Sequence, residues 1–168
     1  MLIQEKLGKL ESFVLRDREV DPLGLEWHET GKRLLRKTTR GGREIVLKFL
    51  RESPALAEGD VLYEDPECLV VVDILPCAAL VIRPASLYGV ASVCYEIGNK
   101  HLPLFYEKEE LLAPYEAPLF RALVAGGYDV RQEERKLLYP LKTTVAAHTH
   151  AGGSSLFSKI LQFTNPNV

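Results

Sequence analysis

The sequence predicts a mainly β first half followed by an α+β second half in the order β-α-β-β-α-β. Two observations carry this. Residues 1 to about 75 hold six short apolar runs set apart by turn or charged residues, the pattern of a small sandwich or barrel. From residue 78 onward a continuous apolar run gives way to helical spacing, which then alternates with short extended segments. The length of 168 residues accommodates one ordinary domain or two small ones.

In the first half the strand candidates are Ile3, Phe13-Val14-Leu15, Leu34-Leu35, Ile45-Val46-Leu47 with Phe49, Val61-Leu62-Tyr63 and Leu69-Val70-Val71-Val72. The breakers between them are Asp21-Pro22, Thr39-Arg40-Gly41-Gly42, Ser53-Pro54, Glu58-Gly59-Asp60 and Asp65-Pro66. Arg40-Gly41-Gly42-Arg43 reads as a hairpin tip, because glycine reaches φ > 0 without a steric penalty. Lys32, Arg33, Arg36, Lys37, Arg40 and Arg43 make this region basic. Two readings fit: a solvated edge strand whose cations discourage edge pairing, or a protein-docking surface. Pro76 ends the first half, since proline cannot donate to a ladder.

In the second half Ala78-Ala79-Leu80-Val81-Ile82 reads as a strand buried on both faces. Ser86 is the expected N-cap of a helix. Leu87, Val90, Ala91, Cys94 and Ile97 form its expected apolar face, and Gly98 or Asn99 is expected to supply the left-handed residue that stops it. Leu102-Pro103-Leu104-Phe105-Tyr106 and Leu111-Leu112-Ala113-Pro114-Tyr115 read as strands, the second an edge strand because of Pro114. Lys108-Glu109-Glu110 is a charged turn between them. A second helix starts near Pro118 with Leu119, Phe120, Leu123 and Val124 on one face, and Gly126-Gly127 ends it. Residues 128–133 alternate as a last strand. This order is the ferredoxin-like split βαβ motif, which hosts many functions and names none. Residues 1–75, 76–146 and 147–168 are thus expected to be a β-rich domain, a ferredoxin-like domain and a tail. The tail holds His148 and His150, a Gly-Ser linker and an apolar segment, residues 156–163, of helical spacing.

Charge and composition narrow the function. The formal net charge is -2 and charged residues make up 26%. Nothing there favours nucleic acid or an anionic membrane, and no aromatic stacking set accompanies the basic residues. No apolar run approaches a membrane span and the N-terminus does not read as a signal peptide, so a cytoplasmic location is expected. Cys68, Cys77 and Cys94 lack paired-ligand spacing and are expected to be free thiols. No phosphate loop, zinc-protease helix or nucleophile elbow occurs, and Glu109-Glu110 reads as a solvated pair in a turn. Catalysis is not expected.

Four histidines remain. His28 beside Trp27 reads as an ordinary surface or half-buried residue. His101 follows a helix end, where unpaired carbonyls favour a cation. One imidazole cannot hold nickel(II) or zinc(II), which take about four to six ligands. On a two-fold axis His101 would meet its own symmetry mate. His148 and His150 point to one side of an extended chain and could close over that pair. The same two histidines also fit a tail without metal function.

Tyr95-Glu96-Ile97-Gly98-Asn99-Lys100-His101-Leu102-Pro103-Leu104, with Leu80-Val81-Ile82-Arg83-Pro84 before it and Leu123-Val124-Ala125-Gly126-Gly127 after it, resembles the urease-serving nickel metallochaperones of the UreE family. Gly42-Arg43-Glu44-Ile45 and Glu58-Gly59-Asp60-Val61-Leu62 are similar to the family pattern in the first half. The resemblance implies a homodimer through the second domains, with nickel held between two copies of His101 and assisted by His148 and His150. It implies delivery of nickel to apo-urease together with the urease accessory GTPase, and a first domain akin to peptide-binding domains. Zinc(II) or copper(II) could occupy the same imidazoles. Tyr115, Glu116 and Ala117 stand where some members carry further histidines, and the histidine-rich tail of others is reduced to two. The rival reading is a metal-free adaptor that docks a protein or senses a small molecule.

Overall fold

The computed structural model describes residues 1–50 and 54–141. Three sheets organise them. In the first half β1 (Leu2–Ile3), β5 (Glu44–Lys48) and β4 (Leu34–Thr38) form one sheet in the order β1-β5-β4. β2 (Gly8–Lys9), β6 (Asp60–Glu64), β7 (Cys68–Ile74) and β3 (Glu19–Leu25) form the other, in the order β2-β6-β7-β3. Ile3, Ile45 and Leu47 from the first sheet share one core with Leu23, Leu25, Val70, Val72 and Ile74 from the second. Burying such alternating side chains from two sheets is the dominant stabilising contribution of a small β unit.

The Arg40–Arg43 hairpin tip forms as expected. Thr39 N donates to Arg43 O at 2.9 Å, and Gly42 takes φ 86. Two expectations fail. Asp21-Pro22 is not a breaker but the middle of β3, which runs parallel to β7 with Pro22 opposite Val71. β3 is a terminal strand, so the donor that Pro22 lacks would not have met a ladder partner. Phe13-Val14-Leu15 is not a strand. It follows a 3-10 turn, Leu10–Ser12, and leaves Val14 67% exposed.

In the second half the elements are β8 (Cys77–Arg83), α1 (Leu87–Asn99), β9 (Phe105–Glu107), β10 (Glu110–Pro114), α2 (Ala117–Ala125) and β11 (Asp129–Arg135). The sheet order is β11-β8-β10-β9 with every pair antiparallel. β10 is therefore an inner strand, not an edge. Pro114 is tolerated because it is the last residue of the strand, and Tyr115 N makes the next bond, to Ala78 O at 3.0 Å.

The continuous apolar run of β8 is explained by its two faces. Leu80 and Ile82 meet both helices through Val93, Ile97, Leu119 and Leu123. Ala79 and Val81 face the other way, with Phe105, Leu112 and Leu137, toward Trp27 of the first half. Trp27 and Phe105 meet edge-to-face at 5.9 Å. Residues 136–141 then strap the halves together. Lys136 Nζ lies 2.8 Å from Glu58 Oε1 and 2.6 Å from Asp73 Oδ1, and Leu138 packs on the first core.

Candidate metal centre

His101 owes its position to the way α1 stops. Ser86 caps the start, its hydroxyl accepting from Gly89 N at 3.1 Å. The helix runs through Gly98 and Asn99, and neither takes the left-handed conformation. His101 itself does, at φ 54. His101 N donates to Gly98 O at 2.9 Å, and Leu102 N reaches back to Ile97 O at 3.3 Å. These two bonds are those of a Schellman cap, with Leu102 and Ile97 sharing the second core as its hydrophobic contact. The imidazole is thus exposed on a backbone fixed by two hydrogen bonds and an apolar anchor.

The helix face differs from expectation. Gly89, Val93 and Ile97 are the buried stripe, with Val90 and Cys94 at its margin. Leu87 and Ala91, expected inside, are outside. With Leu87 85%, Tyr88 80% and Tyr95 69% exposed, an apolar stripe runs along α1 toward His101. The buried stripe was readable in the sequence only if Gly89 counts as a packing residue. A Cβ there would touch Pro84 at 3.4 Å. Val124 of α2 is likewise 52% exposed.

Lys100, the residue before His101, lies 4.0 Å from Glu116. Glu116 also caps α2, accepting from Leu119 N at 3.2 Å. His28 is exposed and meets Trp27 edge-to-face at 5.3 Å. His148 and His150 lie outside the described residues, as does the apolar segment 156–163. Among the described residues no three of His, Cys, Asp or Glu gather to hold an ion. All three cysteines are free, and burial pushes each thiol up from its ordinary value. They are protonated packing residues. Glu110 is not solvated. Although burial opposes ionisation, bonds from Arg83 at 2.6 Å and Arg135 at 3.1 Å hold its carboxyl below the usual range.

The two-part chain presents one exposed imidazole, on a backbone fixed by the helix cap, beside an exposed apolar helix face. Residues 3–75 match the model of the UreE urease accessory protein N-terminal domain. The chain is 45% identical over 161 residues to the urease accessory protein UreE of Flavobacterium johnsoniae, covering 96% of this chain and 98% of that one. It is 36% identical over 149 residues to UreE of Actinobacillus pleuropneumoniae, covering 86% and 80%, and 34% identical over 151 residues to UreE of Acetivibrio thermocellus, covering 90% and 98%. The chain belongs to the UreE family of urease accessory proteins. Its role is accessory to an enzyme; it is not an enzyme itself. No helix among the described residues is long and apolar enough to cross a membrane.

Proposed function

We propose that this protein is a cytoplasmic nickel carrier that binds the ion at a homodimer interface and delivers it for assembly of the urease active site. The observation that carries this is the placement of His101: exposed, conformationally fixed, and at the end of an exposed apolar stripe. Covering Leu87, Tyr88 and Tyr95 with a second copy would remove apolar surface from water. A two-fold axis past the helix ends would bring two His101 rings together. The expected partners after loading are the urease accessory GTPase and apo-urease.

His148 and His150 complete the site in this reading. Leu141 N donates to Leu104 O at 2.7 Å, so the chain leaves the described residues three positions from His101. The seven residues from Leu141 to His148 can reach about 25 Å at full extension, ample for return to His101. Imidazole sites of this kind also take zinc(II) and copper(II). Residues 1–75, 76–146 and 147–168 serve as a peptide-binding-like docking domain, a ferredoxin-like metal and dimer domain, and a ligand-bearing tail. The strand order β11-β8-β10-β9 supports the ferredoxin-like reading.

Calorimetric titration of metal-free protein with nickel, with solution mass measured in parallel, tests this. One tight ion per two chains, lost in His101→Ala, is expected. Tight binding at one ion per chain would move the site off the axis, and no binding below millimolar would leave a metal-free adaptor. Truncation after Thr144 is expected to weaken affinity and keep the stoichiometry. Unchanged affinity would remove His148 and His150 from the ligand set.

A further inference from the structure

β4 is a terminal strand of its sheet. Its register with β5 fixes which backbone groups look outward. Arg33 O accepts from Phe49 N at 2.8 Å and Thr39 N donates to Arg43 O at 2.9 Å, so the odd-numbered residues bond to β5. The N–H and C=O groups of Leu34, Arg36 and Thr38 therefore point away from the sheet and meet no strand among the described residues. Such an edge is a template for another extended chain.

The side chains along this edge define what chain it would accept. Leu34 is 70% exposed. Lys48 lies directly across from it and is exposed too. Neighbouring cations are paired: Lys37 with Glu29 at 2.6 Å, Arg43 with Asp21 at 2.5 Å, Arg40 with Asp73 at 3.4 Å. Arg33, Arg36 and Lys48 have no carboxylate partner among the described residues. Arg36 and Lys48 share the face of Leu34 and Arg33 stands on the other face, so the open edge is basic on both sides with one apolar step.

We propose that the β4 edge docks an extended acidic segment of a partner protein by strand addition, with its carboxylates on Arg33, Arg36 and Lys48 and an apolar side chain on Leu34. The same cations repel a second copy of the edge, which keeps the chain from pairing with itself there. This chain's own tail does not fit, because residues 142–168 contain Lys142 and Lys159 and no acidic residue. The inference gives a partner chemistry to the docking role proposed for residues 1–75 and rests on that role, not on nickel binding.

The test is an amide-resolved NMR titration of the full chain with a capped nine-residue peptide of glutamates around one central valine, which carries carboxylates on both faces of the added strand. A matched lysine–valine peptide is the control. Saturable shifts centred on Leu34, Arg36 and Thr38, absent with the lysine peptide, are expected. Arg36→Pro removes an outward donor without touching the β5 ladder, so the fold should persist while affinity falls about tenfold or more. Arg33→Glu with Arg36→Glu should exchange the peptide preference. Binding that maps to another surface would overturn the edge and leave the docking role standing. No binding of either peptide at millimolar concentration would overturn both. Edge amides that shift with protein concentration alone would mean a second copy is the occupant, and would overturn the proposal as well.

Discussion

His101 pays a conformational penalty to stand where it does. A non-glycine residue in the left-handed region costs about 1 kcal/mol relative to glycine, which is why glycine dominates this cap position. Here the cap's two hydrogen bonds and the Leu102–Ile97 contact hold the strained residue in place. His101→Gly is therefore expected to raise stability by roughly 0.5–1 kcal/mol in urea unfolding while removing the imidazole. His101→Val, β-branched at φ 54, should lower it by about 1–2 kcal/mol. A glycine variant less stable than the parent would show that the histidine ring itself anchors the loop.

At the scale of elements, the β4–β5 hairpin is tied to β3 by one carboxylate. Asp21 is 1% exposed and accepts from Thr39 Oγ1 at 2.7 Å, Gly41 N at 2.7 Å and Arg43 Nη1 at 2.5 Å. Burial alone would raise its pKa, but these three donors hold it below the ordinary aspartate value. A depressed carboxylate contributes stability above the unfolded value near 4 and loses it as pH falls through the folded value. Asp21→Asn should cost on the order of 2–3 kcal/mol at pH 7. The gap to the parent should close in acid. A gap of constant size from pH 7 to pH 3 in denaturant melts would refute the assignment. The same element shows where the sequence could be read and where it could not. Gly41-Gly42 announced the hairpin because turn chemistry is local. β3 was hidden because Asp21-Pro22 looks like a turn, and only pairing with distant β7 and the network on Asp21 make it a strand. Likewise the order of elements from β8 to β11 was legible from periodicity. The rotation of α1 was not, because Gly89 packs by closeness and not by bulk, and Leu87 and Tyr95 are apolar on a face the lone chain leaves open. His101 was identifiable as a helix-end residue. That it is itself the left-handed residue depended on where the last helical bond fell.

At the scale of the molecule, the halves meet through Trp27 on Phe105, Leu138 on the first core, and Lys136 between Glu58 and Asp73. Burial would depress the Lys136 pKa, but its bonds to Asp73 and Glu58 raise it. The three side chains are partly exposed, so solvent screens the cluster and its contribution is about 1 kcal/mol. Lys136→Met should lower the calorimetric melting temperature by about 2–4 °C or split one transition into two. An unchanged trace would mean that the apolar contacts alone join the halves. Because the strap continues into the residues beside Leu104, the joint and the neighbourhood of His101 share one stretch of backbone.

The seam also holds the chain's one tryptophan. Light absorbed by indole alone therefore excites a single place in the molecule, the contact between its two halves. The colour of that emission records whether water reaches the seam. The protein carries its own optical gauge, already installed where any movement of one half against the other would have to turn.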